Sequence, residues 1–545
     1  MRAPENSTIA ALAGAGREPE AMAAASFPVW RESDRLRASR TVFVGLIGFG
    51  VAIRGDTAVV GAPGGGPVVE GNRSGTAFVF ERIDGTWVQV QELRPSVQIP
   101  VDSFGISVAF DGRTIVVGAE GYRDPGGVRP LGTAYVFVHN GTRWIEQDRL
   151  VSEDSSSVGL MGTACAVSGD TIVLGADGSF HGQPLGCSAG SAHVFVRRGS
   201  SWFEQAVLIP SDSRCFDLFG TSVAIDGDTI FVESLNGTKE GLDTGSVYVF
   251  DRRDGLWSET QELTPSDGTG DEWFGSGRMG LQGDTAIIGA PGVYVSACSD
   301  CRGAAYVFRR TEGVWVEEQI LWASDRKQED YFGVDVALDG STALISATGD
   351  DDAALESGSV YLFELEEGGW TERQEFWASD AGVGVANNER FGRGLALSGG
   401  RAVVGAIGKD GAFTDEGAAY VFERQSAEVL DRNAGTNPSS YAAAPAILGE
   451  SWTASVDLTT SGHTHARIRG SSSPSARELV GGQTLLVGGA PVFQLPLQEG
   501  PVAAWTVAVP PDTTLAGLKL YTQAVHVLGV EPFALSNAQD LLLGY

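Results

Sequence analysis

Along most of this chain apolar residues alternate with polar ones or run in short blocks, and a helical period is absent throughout. Blocks such as Ala134-Tyr135-Val136-Phe137 are apolar on both faces, the pattern of a strand covered on two sides. Dipeptides such as Asp111-Gly112, Asp226-Gly227 and Asp339-Gly340 separate apolar runs and mark tight hairpins. One unit recurs. It reads Phe-Gly-x-x-Val-Ala, Gly-Asp-Thr and Val-Gly-Ala-Pro, then a variable loop, Gly-Ser/Thr-Ala-Tyr-Val-Phe, and a later Trp. The Phe-Gly position falls at Phe49, Phe104, Met161, Phe219, Phe274, Phe332 and Phe391. The glycine before the aromatic strand falls at Gly75, Gly132, Gly190, Gly245, Gly303, Gly358 and Gly417.

Each unit carries four strand signals; in the fourth they cover 220–225, 229–233, 245–252 and 256–263. Four short antiparallel strands repeated seven times predict an all-β fold, a seven-bladed β-propeller. A unit of this length is too small to bury two sheets of its own. Trp87, Trp144, Trp202, Trp257, Trp315 and Trp370 mark the fourth strand of units one to six, and unit seven lacks one. The segment Val29-Trp30-Arg31-Glu32-Ser33-Asp34-Arg35-Leu36 matches the missing strand, so residues around 27–37 are expected to close the ring. The expected organisation is a disordered extension over 1–26, the propeller over 27–430, a linker over 431–445 and a second domain over 446–545. The linker assignment rests on its Ala, Asn, Ser and Pro content.

The formal net charge is −31, and about −28 of it lies before residue 431. An acidic body repels nucleic acid and anionic lipid, so neither is an expected partner. The same charge also serves to keep a large β surface soluble. No run of 18 apolar residues appears, so no membrane insertion is expected, and residues 1–25 show no clear signal peptide. Of five cysteines, Cys187, Cys215, Cys298 and Cys301 fall in loops and Cys165 in a strand, which fits two disulfides, a free thiol and an oxidising compartment. The loops after strands two and four of one blade emerge on the same face, which brings Cys187 to Cys215. Cys298 and Cys301 are then a local loop staple.

The pairing of Phe49-Gly50 with Val60-Gly61-Ala62-Pro63, and of Phe274-Gly275 with Ile288-Gly289-Ala290-Pro291, resembles the FG-GAP repeat of integrin α-subunits and many bacterial extracellular proteins. The resemblance covers about residues 27–424 and implies the propeller fold and an extracellular or cell-surface location. Integrin-type copies carry a calcium loop between the first two strands. Here that connection has shrunk to pairs such as Ser168-Gly169, too short to supply six to eight oxygens. No cofactor is therefore expected from the family. The other place for Ca²⁺ is the loop of unit six, with Asp350, Asp351, Asp352 and Glu356, which reads equally as a solvated acidic loop. Near the C-terminus, Leu515-Ala516-Gly517-Leu518-Lys519-Leu520 and Leu535-Ser536-Asn537-Ala538 resemble a β-sandwich module appended to secreted proteins of planctomycete-like bacteria.

Several short matches dissolve in context. Gly186-Cys187-Ser188-Ala189-Gly190 spells a nucleophile motif but leads into no helix. The run from Gly275 to Gly280 spells a dinucleotide fingerprint without a βαβ unit. Arg54-Gly55-Asp56 is a hairpin in which Gly-Asp-Thr recurs in other units. The sequence points to an extracellular binding or adhesion protein, monomeric and not an enzyme, taking a protein or glycan ligand on the variable loops between strands two and three. Tyr122, Phe180, Tyr294 and Phe413 are its candidate contacts, and each reads equally as a packed side chain. The alternatives are an enzyme with a site in the propeller channel and a structural component of the cell envelope.

Overall fold

The computed structural model describes residues 29–425, apart from 39–44, 67, 70–71, 100–101, 124–130, 154–158, 181–186, 240–241, 269–272, 293–301, 383–387 and 411–415, together with the backbone of the strands named below beyond 425. Two compact units emerge, one spanning Trp30–Gln425.

That unit is a ring of seven four-stranded antiparallel sheets. Blade four shows the pattern: an inner strand Phe219–Asp226, then Thr229–Ser234, Ser246–Arg253 and an outer strand Leu256–Leu263. Asp226 pairs with Thr229 across a two-residue turn, as expected of the shortened hairpins. The second strands are buried along almost their whole length because a blade packs on each side of them. Between blades one and two, for instance, Val59, Val79 and Leu93 meet Phe104, Val117, Tyr135 and Phe137 in one apolar layer.

Blade seven is closed as the sequence predicts. Val29–Leu36 is its outer strand, pairing with Ala418–Gln425. The strand also repeats the clamps of the other blades. Trp30 N–H donates to Gln374 Oε1 at 2.9 Å and Gln374 Nε2 donates to the Trp30 carbonyl at 2.9 Å. Gln91 grips Trp144, Gln261 grips Trp315 and Gln319 grips Trp370 in the same way. Glu32 accepts the amide and hydroxyl of Ser379, as Glu146, Glu259, Glu317 and Glu372 do for Ser96, Ser211, Ser266 and Ser324.

The motif itself explains how blades meet. Its Phe packs edge-on against the Tyr and Phe of its own third strand; Phe104, for example, stands 5.6 Å from Tyr135 and 6.2 Å from Phe137. The following glycine takes φ near +95°, and its N–H donates to the glycine of Gly-Ala-Pro in the same blade, as Gly105 does to Gly118 at 3.0 Å. The Gly-Ala-Pro glycine in turn meets the next blade: a Cβ on Gly61 would stand 2.1 Å from the Gly105 carbonyl oxygen.

One expectation is corrected. In blade one the motif position is Ile47-Gly48, not Phe49-Gly50. Gly48 has φ +93° and Leu46 φ +51°, the same left-handed pair that precedes every inner strand, and Ile47 makes the parallel bridge to Gly417. Phe49 is half-buried beneath the Arg393 guanidinium, 4.5 Å away. With this shift Trp30 lies 17 residues before its motif, the spacing found in five other units.

The second unit begins before the segment expected as a linker ends. Val429–Arg432 pairs with Phe533–Leu542 in a six-stranded sheet, and Tyr441–Ala443 joins Ser451–Asp457 and Val502–Ala508 in a three-stranded one. Residues 431–445 therefore contribute strands to that unit.

Removing residues 1–40 or replacing Trp30 with Ala should strip the closing strand. Trp30→Ala should cost about 3–5 kcal/mol in denaturant melts, and an unchanged melting curve for the truncation would overturn the closure. Gly61→Ala should cost about 2–3 kcal/mol by overpacking the seam between blades one and two. A loss below about 0.5 kcal/mol would mean the close approach is not a constraint.

Candidate functional site

The residue before each motif position is left-handed in all seven blades. In blades one to four it is Leu46, Ser103, Leu160 and Leu218; in blades five to seven it is Trp273, Tyr331 and Arg390. These three larger side chains line a cavity of about 570 Å³, walled also by Thr221 and Leu235 of blade four and by Glu329, Asp351, Glu356 and Asn388 from the loops of blades six and seven. Glu329, Glu356 and Asn388 are themselves left-handed, at φ +69°, +49° and +84°, a costly backbone state for side chains that line a cavity.

A channel of about 790 Å³ continues along the axis, sharing Thr221, Ser276 and Arg393 with the cavity. Its wall is the inner strands, mainly Val, Ala, Ile and Leu. Arg278 of blade five bars it. Its Nη1 donates to the Val51 carbonyl at 2.5 Å and its Nη2 to the Val108 carbonyl at 3.4 Å, on the opposite side of the ring. Beside it Asp335 is buried, accepts the Leu395 amide at 2.9 Å, and is pushed up to about 6 by burial against the pull of Arg278 and Arg393.

The expected contact residues separate. Tyr122 is not on the surface: it is buried, stacks on Arg149 at 4.8 Å and accepts its Nη1 proton at 2.5 Å. Phe180 is half-buried; Tyr294 and Phe413 lie outside the described residues. The disulfide between Cys187 and Cys215 is formed, with Cα atoms 4.9 Å apart. Cys298 and Cys301 lie outside the described residues, and Cys165 is a free thiol on the channel wall. Arg54-Gly55-Asp56 sits on the hairpin at the opposite end of its blade from the variable loop, with Asp56 paired to Arg401 at 3.1 Å.

The acidic loop of blade six is also resolved into parts. Asp350 is buried and accepts from Ser359 and Tyr361 at 3.0 and 2.8 Å. Asp351 and Glu356 face the cavity, while Asp352 pairs with Lys327. Asp325, Asp330 and Glu375, absent from the sequence reading, join the group. Burial, then Asp350, raises Asp330 to about 6; burial, then Asp350 and Asp325, raises Glu375 to about 8. Corresponding places in blades two and seven hold bases: Arg149 at Asp102, and Arg35 and Lys409 at Asp380. Lys327 is the base of blade six.

The FG-GAP repeat family matches residues 30–80, 87–137, 202–250, 257–308, 315–363 and 370–422, more than half of the chain. The chain belongs to the FG-GAP repeat family. Each match starts on the outer-strand Trp of one blade and ends in the third strand of the next, and the first starts on Trp30. The unmatched copy, blade three, has Met161 for Phe and His193 for Tyr, yet Gly162 keeps φ +93° and Met161 keeps its bridge to Gly132. No curated protein matches the chain.

Sequence reading missed Trp273, Tyr331 and Arg390. The available signal was the residue just before each motif aromatic. It also missed Trp322 and Trp377, exposed at equivalent positions after the outer strands of blades five and six.

Asp102 is fully buried, with neither carboxylate oxygen hydrogen-bonded, and burial pushes it from 3.8 to about 7 against the pull of Arg149. A carboxyl raised on folding binds its proton more tightly in the folded state, so its contribution is full below about pH 4 and is lost as pH rises through 7. Asp102→Asn should therefore be more stable than the wild type at pH 8, with the gain shrinking at pH 4.5. Equal gains in urea melts at both pH values would contradict this.

Proposed function

We propose that this propeller is an extracellular, non-enzymatic binding protein that takes a glycan in the loop-face cavity of blades four to seven. The observation that carries the reading is the concave shape of that cavity together with its aromatic lining. Trp273 and Tyr331 offer apolar faces, and Asp351, Glu356, Asn388 and Arg390 offer planar hydrogen-bonding groups around them. Aromatic platforms ringed by a few polar groups suit sugar rings, which present an apolar face and an equatorial belt of hydroxyls. A flat surface would instead favour a protein.

The channel supports the non-enzymatic part of the reading. Arg278 spans it, and the perturbed Asp335 is sealed between blades rather than open to solvent. An extracellular setting is supported by the family and by the Cys187–Cys215 disulfide. No helix among the described residues is long and apolar enough to cross a membrane. We read the unit after residue 425 as an appended β-sandwich that attaches or spaces the propeller.

A glycan array probed with the full chain should give a defined set of hits. Trp273→Ala and Arg390→Ala should each weaken the best hit by about thirtyfold, the effect of losing a contact worth about 2 kcal/mol. An array without hits, combined with capture of a protein on the same face, would overturn the glycan reading. Hits that survive both substitutions would overturn the site.

A further inference from the structure

Arginines on this acidic propeller find carboxylates. Arg35 pairs with Asp380, Arg252 with Asp228, Arg310 with Asp284, Arg401 with Asp56 and Glu423, and Arg424 with Glu364. Arg390 does not. Among the described residues no carboxylate oxygen lies within 4.0 Å of its guanidinium, although Glu329, Asp351 and Glu356 line the same cavity. Glu389, its neighbour in the chain, is buried and pairs with Lys409 at 2.8 Å. The guanidinium of Arg390 has a neutral partner instead: its Nε donates to Asn388 Oδ1 at 2.6 Å. Of the seven residues that precede the motif positions, Arg390 is the one base.

This arrangement leaves one edge of the guanidinium open. With Nε held, Nη1 and Nη2 have no protein partner among the described residues, and together they form the planar fork that takes both oxygens of a carboxylate. The main chain fixes the fork in place. Asn388, Arg390 and Phe391 donate their N–H groups to the carbonyls of Leu355, Glu356 and Ser357 at 3.4, 3.4 and 2.9 Å. Glu356 therefore lies beside Arg390 through its backbone, while its carboxylate stays apart. The cavity is polarised as a result. Arg390 is half-buried on the blade-seven wall, with Arg393 lining the same wall, whereas Glu329, Asp351 and Glu356 are exposed. The exposed acids are screened by water and salt. The half-buried cation has lost hydration without gaining a counter-ion.

We propose that the glycan taken by this cavity is acidic, and that Arg390 receives the carboxylate of a sugar of the uronic-acid class. The inference rests on the glycan reading of the cavity and adds the charged group that the ligand carries. A sugar carboxylate is planar and singly charged, so it matches one guanidinium fork in shape and in charge. The rest of such a sugar suits the remaining walls. Its ring carries the apolar face that Trp273 and Tyr331 can cover, and its hydroxyls donate to acceptors such as the exposed carboxylates of Glu329, Asp351 and Glu356. The ligand does for Arg390 what Asp and Glu side chains do for the other arginines.

Calorimetry on the full chain at neutral pH tests this with galacturonate and glucuronate oligosaccharides, each as free acid and as methyl ester. Neutral galactose and glucose oligosaccharides and a sulfated galactose oligosaccharide complete the set of probes. At least one free acid should bind about tenfold or more tightly than its own ester. Arg390→Met should bring that acid down to the level of the ester. Asn388→Asp hands Arg390 a carboxylate within the protein, on a residue that tolerates the left-handed backbone, and should also shrink the preference. It carries the test if melting curves show that Arg390→Met does not fold. Trp273→Ala should weaken acid and ester alike. The inference falls, and the glycan reading stands, if esters or neutral sugars bind as tightly as the acids, if the sulfated sugar outcompetes every carboxylate, or if the preference survives both Arg390→Met and Asn388→Asp. If no sugar binds, charged or neutral, the glycan reading falls and this inference with it.

Discussion

The whole ring depends on the contact between two glycines of neighbouring blades. A Cβ on Gly175 would lie 1.8 Å from the Gly220 carbonyl oxygen, and one on Gly289 would lie 1.9 Å from that of Gly333. Backbones so close leave no room for a side chain, so the Gly-Ala-Pro glycine is a steric requirement of the seam. The Phe-Gly glycine is a conformational one: it must turn left-handed so that its N–H returns to the same blade while its carbonyl faces the previous one. The Phe between them is anchored by the third-strand Tyr and Phe. Sequence motif, blade geometry and ring closure are therefore one constraint, met by a glycine–glycine contact at five of the seven seams.

Because that constraint fixes backbone rather than side chain, the residue before each motif position is free to vary while its left-handed backbone is held. This is how a repeat with near-identical blades builds an asymmetric site. Trp273, Tyr331 and Arg390 line the cavity, whereas Leu46, Ser103, Leu160 and Leu218 are not among its lining residues. The same logic governs the polar pockets behind each blade. Equivalent positions hold Arg149 in blade two, Arg35 in blade seven and Glu375 in blade six, so one scaffold yields balanced clusters in two places and an acidic one in the third.

The fold was legible because its information is local and repeated. Phase, blade number and the closing strand at Trp30 all follow from landmarks a fixed distance apart. The one misplaced landmark, Phe49-Gly50 for Ile47-Gly48, shows the limit. A second Phe-Gly lies two residues on, and only the left-handed φ of Gly48 tells which glycine makes the turn. Cys187 and Cys215 were legible because strand count places their loops on one face. The site was not, because Trp273, Tyr331 and Arg390 come from three blades and are brought together by ring curvature, which no single unit encodes. Tyr122 stayed open between contact and packed residue for a related reason. Its environment is set by Arg149, on another strand of the same blade, rather than by the loop that carries it.

The seams themselves are unequal, and the inequality follows from single residues. The parallel bridge from the third-strand glycine to the next motif aromatic forms at Gly75, Gly132, Gly190, Gly303 and Gly417. It is missing after blades four and six, the two blades whose Gly-Ala-Pro glycine is replaced by Glu233 or Ser346. In both, the replacing side chain occupies the space next to the following motif glycine, 2.8 Å from a Cβ on Gly275 and 2.5 Å from one on Gly392. Blades five and six are thus bracketed by the two seams that hold an inserted side chain, while the motif N–H still donates across each, Phe274 to the Thr244 carbonyl and Phe391 to the Ser357 carbonyl at 2.9 Å; these blades supply Trp273 and Tyr331 to the cavity. The two substitutions therefore set the altered seams on either side of the blades that carry the cavity's aromatic residues.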